Sequence, residues 1–208
     1  LIGLVGSEMC IRDRYDILRK IPAGSEIKFE LVENNKLSLK SDNSNFNLLC
    51  LPADNFPLVT DDFGKEKFNI SSKNLLRILN KTKISVSNDD TRHYLNGIFF
   101  HPTSIGQKKF LTAVATDSHR LSSSSTEFEN DYNFSPLILP KKTAYMICTL
   151  IEENENKILI QTTESKIKFT IGKTILISKV IDGKFPDYKK VIPQDNKNKL
   201  VVSSKDLT

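Results

Sequence analysis

The chain alternates short stretches in which every second residue is apolar with a few in which apolar residues recur every three or four positions. Alternation over Ile27–Leu31, Lys36–Lys40 and Asn45–Leu51 predicts three half-buried strands. Ahead of them, Ile17, Leu18 and Ile21 form the inward side of a helical end over Tyr15–Ile21, which Pro22 and Gly24 stop. Ser71 or Ser72 caps a second helix, in which Leu75, Leu76 and Leu79 make an apolar stripe. Strands are then predicted at Lys83–Val86, Gly97–His101, Phe110–Thr116, Arg120–Ser124 and Pro136–Leu139, and Pro140 opens a helix to about Glu152. Lys157–Thr162, Lys166–Ile171 and Thr174–Lys179 follow as a meander. Helices and strands come without alternating crossover units, so the expected class is α+β with antiparallel sheet.

The pattern also repeats. Phe68–Leu76 (FNISSKNLL) returns as Leu200–Thr208 (LVVSSKDLT), and LPADNFP, ending at Pro57, returns as VIDGKFP, ending at Pro186. Both offsets are about 130 residues, the size of one domain and not of a solenoid repeat. The expected organisation is the end of one unit over 15–61, a complete second unit over 68–182 and the start of a third over 200–208. Two Pro-, Asp- and Lys-bearing linkers, 62–67 within the longer stretch Asp54–Lys67 and 183–199, join them. Leu1–Arg14 has no initiator Met and only a short apolar run, and is expected to be a non-native leader.

Composition narrows the chemistry. With 208 residues, 38% hydrophobic and 26% charged, the chain can bury a full core. No apolar run approaches the ~20 residues of a membrane helix. Cys10, Cys50 and Cys148 lack metal or redox spacing, which suits a reduced, cytoplasmic setting. A net charge of +5, from 30 bases and 25 acids, permits a polyanionic partner without requiring one. Asp117, Ser118 and His119 carry the letters of a hydrolase triad, but working triads converge from separated loops, and neighbours at a strand end diverge. His93, His101 and His119 lack ligand spacing, the eight glycines form no phosphate loop, and paired acids such as Asp61-Asp62, Asp89-Asp90 and Glu152-Glu153 sit at turns or helix ends. No active site, cofactor or metal is expected; a DNA-processing hydrolase stays as an alternative.

The helices point elsewhere. Lys73, Arg77 and Lys81 recur at i, i+4 and i+8 opposite the leucine stripe. Lys141 and Lys142 open the later helix, where cations oppose the macrodipole at a cost of ~0.3–1 kcal/mol each. One such helix reads as a solvated surface. Two in one unit favour sequence-blind contact with nucleic-acid phosphates. No aromatic platform accompanies them, which argues against single-strand stacking. An interaction module with no DNA role is the other reading.

From Tyr15 onward the chain resembles the bacterial DNA polymerase III β sliding-clamp family. The resemblance rests on YDILRKIPAGSEI, LPADNFP, SSKNLLRILNKTKISVS with RHYLNG, ATDSHRL, and SKVIDGKFPDYKKVIP. It implies the sliding-clamp fold, in which repeated domains of antiparallel sheet carry helices on the inner face of a ring built as a head-to-tail homodimer. It further implies a non-catalytic processivity factor that encircles double-stranded DNA. The replicative polymerase, the clamp loader and repair factors would be its partners, held through linear peptides. Beyond the helical cations, Arg92, His93 and Tyr94 would face DNA, although a tyrosine pair is commoner than His93-Tyr94. The peptide cleft would use Leu95, Thr116, His119, Arg120, Leu121, Pro186, Lys190 and Val191. Ser118 stands where glycine is usual, and Lys190 where arginine is common.

Overall fold

The structure, a computed structural model, describes residues 8–32, 35–42, 44–50, 52, 62–64, 67–128, 134–151, 157–193, 197–198 and 200–206. The motif LPADNFP apart from Pro52, most of the linker Asp54–Lys67 and the expected helix end at Glu152 lie outside these residues. The chain divides into two compact units, 1–60 and 61–208.

In the first unit, helix α1 (Glu8–Lys20) precedes an antiparallel meander of β1 (Lys28–Val32), β2 (Lys36–Ser41) and β3 (Ser44–Leu49). Leu39 of the central strand pairs with Phe29 on one side and Phe46 on the other. Leu37 and Leu39 are buried, whereas Leu31 and Leu49 are exposed. Ile17 of α1 and Ile21, just past its end, line a concavity of about 700 Å³ together with Phe46 and Leu48 of β3.

The second unit holds two four-stranded antiparallel sheets. One runs in the order β11 (Thr174–Lys179), β10 (Lys166–Ile171), β9 (Lys157–Thr162) and β4 (Lys67–Ser71). The other runs β7 (Leu121–Glu127), β6 (Lys108–Thr116), β5 (Gly97–Ile105) and β8 (Leu137–Pro140). The α+β class with antiparallel sheet expected from the pattern is what forms. Helix α2 (Ser72–Thr82) starts at Ser71, whose hydroxyl accepts from Asn74 N at 3.2 Å. Leu75, Ile78 and Leu79 of α2 are fully buried, and each contributes about 1.5–3 kcal/mol of burial. They meet Ile70, Ile98, Phe100, Leu111, Ile158 and Phe169 from both sheets, with Ala144 and Ile147 of α3 (Lys141–Leu150).

Three expectations change. Lys83–Val86 is not a strand: Lys83–Ser85 is a 3-10 turn continuing from α2, and Ile84 and Val86, which would share a face in a strand, are exposed and buried respectively. The strand expected at Arg120–Ser124 begins at Leu121 and runs to Glu127. The linker 183–199 is packed over its first half, where Phe185 and Tyr188 are buried and a 3-10 turn spans Tyr188–Val191. At the C-terminal copy of the repeat, Ser203 Oγ accepts from Lys205 N at 3.2 Å, and a 3-10 turn follows over Ser204–Asp206. That serine occupies the position of Ser71 in the first copy.

Sheet β7-β6-β5-β8 is covered on both faces. Ile98, Phe100, Leu111, Ala113 and Ala115 face the helices, while Val114 and Ile138 face a second cluster with Leu95, Phe185 and Tyr188. The segment that closes this outer face leaves β11, pairs Ile181 N with Ile138 O at 2.9 Å, and crosses the sheet.

Candidate nucleic-acid interface and peptide site

The predicted cations divide into exposed ones and ones already engaged. Lys73 and Lys81 of α2 and Lys142 of α3 are exposed. Arg77 reaches β7 instead, donating to Ser124 Oγ at 3.2 Å and to Ser125 O at 2.7 Å. Lys141 donates to Asn88 Oδ1 at 2.6 Å. Helices α2 and α3 are neighbours, with Cys148 Sγ 3.8 Å from Asn80 Oδ1. Neither helix has an acid in its first turn. Lys83, placed in a strand by its sequence pattern, belongs here too: its ammonium lies 4.9 Å from the Tyr145 ring, and that of Lys141 lies 5.9 Å from the same ring. The tyrosine was the missed signal, since it stands four residues after Lys141, one turn along the helix.

Arg92, His93 and Tyr94 lie in a kinked 3-10 segment, Asp90–Leu95, that leads into β5. Asp89 opens it by accepting from Thr91 N at 2.9 Å, from Thr91 Oγ1 at 2.6 Å and from Arg92 Nε at 2.9 Å. These bonds hold its carboxyl below the usual range, the Thr91 hydroxyl contributing most. Gly183 of the crossing segment lies against this loop, where a Cβ would sit 3.2 Å from Tyr94 Cβ.

The turn Thr116–Arg120 joins β6 to β7. Thr116 Oγ1 donates to Arg120 O at 2.8 Å and accepts from Ser118 N at 3.1 Å. Asp117 Oδ1 accepts from His119 N and Arg120 N, both at 3.0 Å, and Oδ2 accepts from Arg120 Nε at 3.0 Å. The two backbone donors are the main reason that this carboxyl is held low. Ser118 has φ +77°, in the region that favours glycine, and its Oγ accepts from Arg92 Nη1 at 2.7 Å. The carboxylate is spent on the turn and the hydroxyl on an arginine, with no bond from either side chain to the His119 ring among the described residues. A Ser–His–Asp relay is therefore not assembled. Among the described residues, no group of three or more His, Cys, Asp or Glu is placed to hold a metal.

Three segments distant in sequence, Arg92–Leu95, Thr116–Leu121 and Phe185–Val191, meet around the second cluster. Leu95 is 2% exposed, so it forms the floor under the surface and not a wall of it, because the crossing segment covers it. Leu121 is half-buried, Pro186 is exposed and Val191 is 69% exposed. His119, Arg120 and Lys190 are exposed, the last 3.4 Å from Asp187, and Thr116 is half-buried as the fastener of its turn.

Sequence reasoning missed what pins the crossing segment. His101 Nε2 and Tyr188 Oη are 3.1 Å apart, and Phe99 stacks on His101 at 4.8 Å and on Phe185 at 4.8 Å. Burial pushes the His101 pKa down and the Tyr188 pKa up.

Residues 69–187 match the family described as DNA polymerase III beta subunit, central domain, and residues 10–60 match the N-terminal domain of the same subunit. The second match begins inside Leu1–Arg14, which is helical from Glu8. The chain is 36% identical over 184 residues to the beta sliding clamp of Caulobacter vibrioides and 38% identical over 194 residues to that of Rickettsia felis. These alignments take in 88% and 91% of this chain and 50% of each relative. A solved sliding clamp from Bartonella birtlesii, bound to griselimycin, superposes with a TM-score of 0.81 at 37% identity, over 94% of this chain and 53% of that one. A Caulobacter crescentus beta sliding clamp gives 0.78 at 35% identity, over 89% of this chain and 50% of that one. The chain thus spans about half the length of these relatives. With its central-domain match covering more than half of its residues, the chain belongs to the DNA polymerase III β-subunit family of sliding clamps.

Proposed function

We propose that this chain is part of a replication processivity factor: a ring, closed by a head-to-tail homodimer, that surrounds duplex DNA and performs no chemistry of its own. Residues 15–61 belong to the end of its first domain, 68–182 form its second, and 200–208 open its third, with linkers 62–67 and 183–199. A ring is retained by topology, so its phosphate contacts can be loose and independent of sequence. Lys73, Lys81 and Lys142, with Lys83 and Lys141 beside Tyr145, supply that field, and Arg92, His93 and Tyr94 add to it. Arg77 acts through β7 as much as through solvent. The protein works in the cytoplasm, and the leader reading of Leu1–Arg14 is tested by mass spectrometry of the native protein.

Its partners are the replicative polymerase, the clamp loader and repair factors, which dock linear peptides. The supporting observation is the convergence of three separate segments on one apolar cluster that leaves Leu121, Pro186 and Val191 at the surface beside Thr116, His119, Arg120 and Lys190. Apolar anchors with a polar rim suit an extended peptide. Griselimycin, which the Bartonella relative binds, serves as a probe on the reading that it occupies this surface. The full-length protein should bind both griselimycin and a labelled clamp-binding peptide, and Leu121→Asp with Pro186→Asp should abolish both. Undiminished binding by that folded double variant would refute the assigned surface.

A further inference from the structure

Arg92 is held between acceptors on two different elements. Its Nε is bonded to Asp89, and its Nη1 crosses to Ser118 Oγ at 2.7 Å. Asp89 is a fixed anchor, since Thr91 bonds it twice more. Ser118 is the labile one: a neutral hydroxyl on a turn residue at φ +77°. Strain of that kind persists only where the surroundings hold it, and here they do so through Thr116 Oγ1 on the Ser118 amide and Arg92 on its hydroxyl. A bond spanning 26 residues thereby ties the Arg92–Tyr94 loop to the turn that presents His119, Arg120 and Leu121.

A guanidinium prefers a phosphate oxygen to a neutral hydroxyl, because the charged acceptor gives the stronger hydrogen bond. The Arg92 side chain is 39% exposed, and its Nη2 has no protein acceptor among the described residues. A phosphate arriving there can recruit Nη2 first and then draw Nη1 from Ser118. The turn then loses its tie to the loop, and the peptide surface loses a fixed edge. We propose that Ser118 is a positioning residue that shares Arg92 between duplex DNA and the peptide surface, so that each ligand weakens the other. This rests on the functional reading above. Such coupling is reciprocal in binding free energy.

The experiment measures griselimycin affinity for the full-length protein free and loaded on nicked circular duplex. Loss of one hydrogen bond corresponds to a roughly fivefold weakening by the duplex. Ser118→Gly and Ser118→Ala should both bring that ratio to one. They should nevertheless differ in melting temperature, since both lose the bond but glycine relieves the positive φ and alanine keeps the strain. A purely structural role for Ser118 would make the ratio follow the melting temperature. Griselimycin binding with a ratio of one in the unaltered protein, or with the ratio surviving in either variant, overturns the proposal. Failure of the unaltered protein to bind griselimycin at all would remove the peptide-site reading and the coupling with it.

Discussion

The two apolar clusters of the second unit differ in how they are closed. The inner one is sealed between two sheets and two helices, and Leu75, Ile78, Leu79, Ile158 and Phe169 have no exposure. The outer one has a single sheet beneath it and one short segment above, held by Phe185, Tyr188 and the Ile181 bridge. An inner cluster of that kind sets global stability. An outer cluster closed by a segment can give up part of its edge to a ligand, and every candidate peptide-contacting residue lies on or beside it.

Breaking the inner cluster should have the largest effect. Leu79→Ala in α2 should cost about 2–5 kcal/mol of unfolding free energy, read by urea denaturation. Tyr188→Phe removes the hydroxyl facing His101 and should cost about 1–2 kcal/mol, with hydrogen exchange rising first in the crossing segment. A denaturation midpoint as low as that of Leu79→Ala would show the two clusters to be one cooperative unit. His101 gives a subtler handle. Its pKa is depressed in the fold by burial, so the unfolded chain binds the proton more readily. The stability from neutral His101 should be fully present above its ordinary value of 6.5 and should fall as pH drops below 6.5 toward the depressed folded value. His101→Gln should flatten that slope in a pH series of melts. Smallest of all, Ser118→Gly should change stability by less than about 1 kcal/mol, relief of the positive φ offsetting the lost Arg92 bond.

The same contrast explains what the sequence could reveal. Strands β9, β10 and β11 were legible to the residue because each is a short, apolar-rich run closed off by polar and glycine-bearing turns, with strict alternation in β10. The helical period gave Leu75 and Leu79 of the α2 stripe, but the third buried position is Ile78, while Leu76 is only half-buried; the sheet class was legible too. Lys83–Ser85 was not, because apolar Ile84 and Val86 alternate with polar Lys83 and Ser85 in the sequence, while the 3-10 turn exposes Ile84 and buries Ser85. Nor was the packing of Phe185 and Tyr188, two aromatics inside a segment whose Asp, Lys and Pro read as linker. At the candidate site, the residue types were visible but their pairings were not. The Arg92–Ser118 and His101–Tyr188 bonds span 26 and 87 residues, and no local period encodes such contacts. The burial of Leu95 depends on the same crossing segment, so it too had to be seen in three dimensions.

The central claim is that DNA is held by enclosure and not by grip. It is tested most directly by placing the full-length protein on nicked circular duplex, raising the salt, and then linearising the circle while following bound protein by gel filtration. Enclosure gives retention on the circle through the salt step and release on cutting, because loose phosphate contacts from Lys73, Lys81 and Lys142 cannot hold a free end. Salt-sensitive loss from the intact circle, or retention after cutting, would contradict it.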